Sequence, residues 1–100
     1  MTTNIEKLED KYLVTLKGEL DTAAAAEVEN VLQPLYNSDG KDVVIDCSEL
    51  EYIASSGLRI LIGILKGAKA SGSKVVLKNM NEEIKSIFKL TGFIYIFEVE

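Results

Sequence analysis

The sequence predicts a single α/β domain: a mixed β-sheet that starts with an antiparallel hairpin, with helices packed on the sheet, in the order β-β-α-β-α-β-α-β. Three observations carry that prediction. Two short strand-like runs, Ile5 to Leu8 and Tyr12 to Gly18, are joined through a tight turn at Glu9-Asp10. Beyond them the apolar pattern switches repeatedly between helical and strand periods, without repeats, linkers or low-complexity tracts. One hundred residues, 47% hydrophobic and 27% charged, make one soluble globular domain spanning residues 1–100, with one ordinary core.

Each element has its own signals. In the second strand Tyr12, Val14 and Leu16 share one face, and Leu13, Thr15 and Lys17 the other. Asp21 or Thr22 then caps a helix whose Ala24, Val28, Val31, Leu32 and Leu35 form the inward stripe. Pro34 removes a hydrogen bond near its end, and Asn37-Ser38-Asp39-Gly40 supplies turn chemistry. A third strand is expected over Asp42 to Asp46, followed by a short polar turn and a helix from about Ser55 to Ala70. Gly72 ends that helix, and Lys74 to Lys78 is the fourth strand. Asn81-Glu82-Glu83 opens the last helix with a cap and two acids suited to its dipole. Ile84, Ile87 and Phe88 turn inward there, Gly92 stops the helix, and Ile94 to Val99 makes the final strand.

Composition excludes several functions. With no histidine and one cysteine, Cys47, the chain offers no transition-metal site, no internal disulfide and no Ser-His-Asp triad. Gly67 to Lys74 resembles a phosphate-binding loop only in passing, because Ser73-Lys74 reverses the required order and the segment runs from helix into strand. No catalytic site, cofactor or metal is expected. Residues 1 to 54 hold 4 basic against 12 acidic side chains, while residues 55 to 100 hold 7 against 4, for a net charge of −5. Without a basic stripe there is little to gain from phosphate backbones, so no direct nucleic-acid partner is expected. Neither a signal peptide nor a membrane-spanning run is apparent, and a lone cysteine fits the cytoplasm.

The informative segment is Ile53-Ala54-Ser55-Ser56-Gly57-Leu58, where a strand region empties into the central helix. A hydroxyl at a helix start can cap the free N–H groups, or it can carry a phosphate that the dipole favours. The helix itself has two apolar sides. Leu58, Leu61, Ile62 and Leu65 form a core stripe, while Ile60 and Ile64 project nearly opposite, beside Gly63 and Gly67. That second face is either covered by a neighbouring helix, with the glycines allowing close approach, or is a patch on which a partner docks.

Gly18-Glu19-Leu20-Asp21, Val43-Val44-Ile45-Asp46-Cys47-Ser48, the Ile53 to Leu58 block and Leu90-Thr91-Gly92-Phe93 together resemble the STAS domain, and within it the bacterial anti-sigma factor antagonists. The resemblance covers nearly the whole chain. It implies a regulatory binding protein, monomeric when free, that sequesters an anti-sigma factor with serine-kinase activity. It also implies Ser56 as the phosphoacceptor whose modification ends binding, with Asp21, Ser55 and Gly57 beside it in the contact surface. The family commonly has Asp before the Ser-Ser pair, where this chain has Ala54. Some STAS domains instead brace a transporter ATPase, including those of lipid transport, without phosphorylation; that is the alternative expectation.

Overall fold

Eight regular elements follow one another in the computed structural model, which describes residues 1–100: β1 (Thr2–Lys7), β2 (Lys11–Leu20), α1 (Thr22–Leu32), β3 (Asp42–Ile53), α2 (Ser55–Ala70), β4 (Val75–Lys78), α3 (Glu82–Thr91) and β5 (Glu98–Val99). Short 3-10 turns, Gln33–Tyr36 and Phe93–Tyr95, follow α1 and α3. The five strands lie in chain order, β1 antiparallel to β2 and every later neighbour parallel. Because the parallel strands never reverse direction across the sheet, right-handed crossovers place all three helices on one face. Burial follows from that. Val14, Ile45 and Leu77 stand at one register level under the helices and are fully buried, whereas Leu13 and Val44 on the other face are half-buried. No helix is long and apolar enough to cross a membrane.

Local signals explain the helix ends. Asp21 Oδ1 accepts from the Ala24 N–H at 2.9 Å and caps α1, while Asn81 Oδ1 accepts from the Ile84 N–H at 2.9 Å and caps α3. Gly92 closes α3 in the left-handed conformation, φ 77°, which glycine adopts at no steric cost.

Four expectations are corrected. The third strand does not stop at Asp46 but runs to Ile53, beside β2, with register irregularities between Thr15 and Lys17 and between Gly18 and Glu19. These bulges move the inward positions from Val43, Ile45 and Cys47 to Leu50 and then Ile53, so the acidic residues between them point outward. A strand that bulges twice loses strict alternation, and Ser48 to Tyr52 therefore reads as a polar turn. The last strand shrinks to Glu98–Val99, because Phe93–Tyr95 turns first. Val31 is exposed, since α1 gives way to the 3-10 turn at Gln33 and Leu35 reaches the core from the tighter turn.

The fourth correction concerns the central helix. Ile60 is 4% exposed and Ile64 fully buried, both within the main core cluster. The covering elements are α1 and the 3-10 turn behind it. Tyr36 lies over the glycines: a Cβ at Gly63 would come 2.8 Å from Tyr36 Cε1, and one at Gly67 would overlap the Tyr36 carbonyl oxygen. The phenol donates to Glu29 Oε2 at 2.8 Å, tying the turn to α1. Burial, and then the neighbouring Glu29 carboxylate, pushes the Tyr36 hydroxyl up to about 12. The Ile60 and Ile64 side chains are thus part of the interior and are not a docking patch.

Candidate functional site

The carboxyl ends of β2 and β3 lie side by side, and each leads directly into a helix. The Ala54 N–H donates to the Leu20 carbonyl at 2.8 Å, which fixes the start of α2 beside the start of α1. This one edge of the sheet brings together Asp21, Ser55, Ser56 and Gly57. Parallel α/β sheets present their working residues at that edge because the helix starts, with free N–H groups, converge there.

Each residue has a distinct place. Asp21 is half-buried and spends one carboxylate oxygen on its own helix. Ser55 is exposed, at the rim of a hollow of about 330 Å³ that Leu58, Arg59, Ile62, Thr91 and Phe93 also line. Ser56 faces the other way, into a cleft of about 130 Å³ between α1 and α2, with Ala25, Ala26, Glu29, Arg59 and Ile60. Gly57 is buried: a Cβ there would lie 2.7 Å from Leu20 Cγ and 2.9 Å from Ile53 Cγ1. Its missing side chain lets α2 settle on the strand ends, so Gly57 is a packing residue beneath the surface and not part of it.

Neither serine caps the helix. The N-cap position of α2 belongs to Ala54, and no side chain accepts a hydrogen bond from the first turn. Ser56 Oγ is buried and makes no hydrogen bond to another protein group. Leaving a buried hydroxyl unpaired costs about 1–3 kcal/mol. A serine that neither caps the helix nor bonds another protein group contributes little to the fold. Ser56→Ala should leave stability unchanged or raise it slightly, which a thermal melt would register.

The empty cap gives a prediction of its own. Ala54→Asp should stabilise the domain by about 1 kcal/mol, because its carboxylate accepts from the free N–H groups and favours the positive helix end. In a domain of this size that shift amounts to a melting temperature higher by roughly 4–8 °C. A melt unchanged from wild type would show that another group already satisfies the first turn.

Arg59 escaped the sequence reading although it lines both hollows. The signal was present: Arg59 is three residues beyond Ser56 and four beyond Ser55, the two spacings that bring helical side chains together. The apolar residues accessible beside Ser55 are likewise not those expected. They belong to the α2–α3 seam, where Ile62 and Phe93 line the hollow, with Leu90 and Tyr95 of the same C-terminal segment 88% and 86% exposed.

Comparison with known proteins agrees with this architecture. The family model described as STAS domain matches residues 2–100. An anti-sigma-B factor antagonist of Staphylococcus epidermidis is 32% identical over 94 residues, covering 92% of this chain and 87% of that protein. Among solved structures, an anti-sigma factor antagonist from Mycobacterium paratuberculosis superposes with a TM-score of 0.79 at 27% identity, covering 98% of this chain and 83% of that one. RsbS of Moorella thermoacetica gives 0.76 at 25% identity, with coverage of 100% and 86%.

Proposed function

The chain belongs to the STAS domain family, and from that premise we propose that it is an anti-sigma factor antagonist, a binding protein without catalysis of its own. Its partner is an anti-sigma factor that is also a serine kinase. Unmodified protein sequesters that partner, and phosphorylation of Ser56 ends the binding. Asp21, Ser55 and Ser56 form the polar part of the contact surface, and the hollow between α2 and α3 forms the apolar part.

The observation that carries this reading is the Ser56 hydroxyl, held at the start of α2 with neither a capping role nor a hydrogen-bond partner. A polar atom that costs stability and returns none is best explained by use. It also loses nothing on rotating outward, and side-chain rotamers exchange far faster than a kinase turns over. In the transfer, Oγ forms a bond to the γ-phosphorus of ATP, the bond to the bridging oxygen breaks, and ADP and the hydroxyl proton depart. The product adds about −1.5 to −2 charges at pH 7 at the rim of the contact surface. Burying that anion unpaired in an interface would cost several kcal/mol, enough to lower affinity by orders of magnitude.

The test pairs labelling with binding. Incubation with the cognate kinase and ATP should add one phosphate, located at Ser56 by mass spectrometry. Ser56→Ala should bind the kinase as wild type does, and Ser56→Asp at least tenfold more weakly, a difference of about 1.4 kcal/mol or more. Calorimetry separates the two. Phosphate elsewhere, wild-type binding by Ser56→Asp, or recovery of a transporter ATPase in place of a kinase would overturn the proposal.

A further inference from the structure

The cleft that receives Ser56 carries charge on both walls, Arg59 from α2 and Glu29 from α1; its remaining lining is Ala25, Ala26 and Ile60. The Glu29 carboxylate accepts the Tyr36 hydroxyl, so it is anchored on the far side from the helix start. The Arg59 side chain is exposed and has no carboxylate within ion-pair distance. Asp21, at the start of α1, has one oxygen committed to its own cap.

We propose that this cleft is the seat of the phosphate on modified Ser56, with the Arg59 guanidinium as its counter-charge. The inference rests on Ser56 being the phosphoacceptor and adds how the modified state is held. Residues three apart on a helix have Cβ atoms about 5–6 Å apart, within reach of a long side chain and a phosphate ester. A guanidinium presents paired N–H donors that match two phosphate oxygens, which a lysine does not. The volume of about 130 Å³ is several times the roughly 10–15 Å³ that a cavity needs to hold one water, leaving room for a phosphoryl group. Before modification the walls balance, one positive charge against one negative. Afterwards the phosphate draws Arg59 over the helix start and is repelled by Glu29. Arg59 is thus a positioning residue for the modified state, and it changes the shape and charge of the surface that the partner meets.

The experiment places phosphoserine at position 56 of the full chain by genetic encoding, so no kinase is needed, and follows its second ionisation by phosphorus NMR. A free phosphoserine takes this step near about pH 6. Arg59→Gln should raise the midpoint by about half a unit or more, and Glu29→Gln should lower it, since an opposite charge favours the dianion and a like charge opposes it. Arg59→Lys should recover much of the wild-type value by charge alone. Melts of each variant confirm that the domain stays folded. Identical midpoints in wild type and Arg59→Gln would overturn the seat. A kinase that fails to label Ser56 would count against the proposed function instead and leave the titration result standing.

Discussion

Gly67→Ala should destabilise the domain by several kcal/mol, although the same change in an ordinary helix interior gains up to about 1 kcal/mol. The sign reverses because the added methyl would occupy the space of the Tyr36 carbonyl oxygen, with the Tyr36 carbonyl carbon 2.7 Å away. A side chain could swing aside, but backbone cannot move without pulling the 3-10 turn off α2. Overpacking of this kind costs typically about 1–3 kcal/mol, and occasionally more, before the lost contacts of Leu35 and Tyr36 are counted. Gly63→Ala is the graded comparison: its nearest neighbour is the Tyr36 ring at 2.8 Å, which can tilt. The expected order of melting temperatures is wild type, then Gly63→Ala, then Gly67→Ala well below both. A Gly67→Ala protein that melts with wild type would mean that the turn is not held against the helix.

Ile64→Glu should abolish the cooperative fold, and Ile60→Glu nearly so. Ile64 is fully buried among α1, the 3-10 turn and α2, so a glutamate there must lie uncharged and unpaired or pull the helices apart. Losses above about 4 kcal/mol are the mark of such sites, and they approach the whole stability of a small domain, about 5–15 kcal/mol. Ile62→Glu, at the half-buried rim of the α2–α3 hollow, should by contrast stay folded and, under the proposed function, weaken capture of the anti-sigma factor. Circular dichroism melts beside binding measurements distinguish the two behaviours. A folded Ile64→Glu variant would return the α1 side of α2 to the surface.

These two sets of variants mark where the sequence was legible. Caps and stops read correctly because they are local: Asp21 and Asn81 bond within three residues, and Gly92 answers to its own φ. The hairpin, the shared face of Val14 and Leu16, and the inward turn of Ile84 and Phe88 follow from short-range periodicity. The two faces of α2 could not be resolved that way. Periodicity tells which residues share a side, but the number of neighbours a helix acquires is decided by the rest of the chain. The glycines were the usable clue: Gly67 marks a backbone approach and Gly63 the seat of the Tyr36 ring. The bulged half of β3 was hidden for a similar reason: pairing with β2 tolerates extra residues that destroy the alternation by which a strand is recognised. At the site, Asp21 and the serines were legible as a cluster. That Ser56 is unpaired, and that Arg59 reaches its cleft, depends on where α1 lies.

The strand order has a consequence for how the molecule is made. Each strand pairs with the one just before it in the chain, so no strand has to be inserted between two already joined. The hairpin can close first at small entropic cost, and each later strand can extend a ladder already in place, with its crossover helix as the only loop to close. Such a chain can be assembled in the direction in which it is synthesised, and its slowest docking should be the last. β5 contributes only two residues and meets β4 alone, through Val76–Glu98 and Leu77–Val99. The C-terminal edge is therefore the first to open in the native state, and hydrogen exchange should be fastest there while β2 and β3 remain protected.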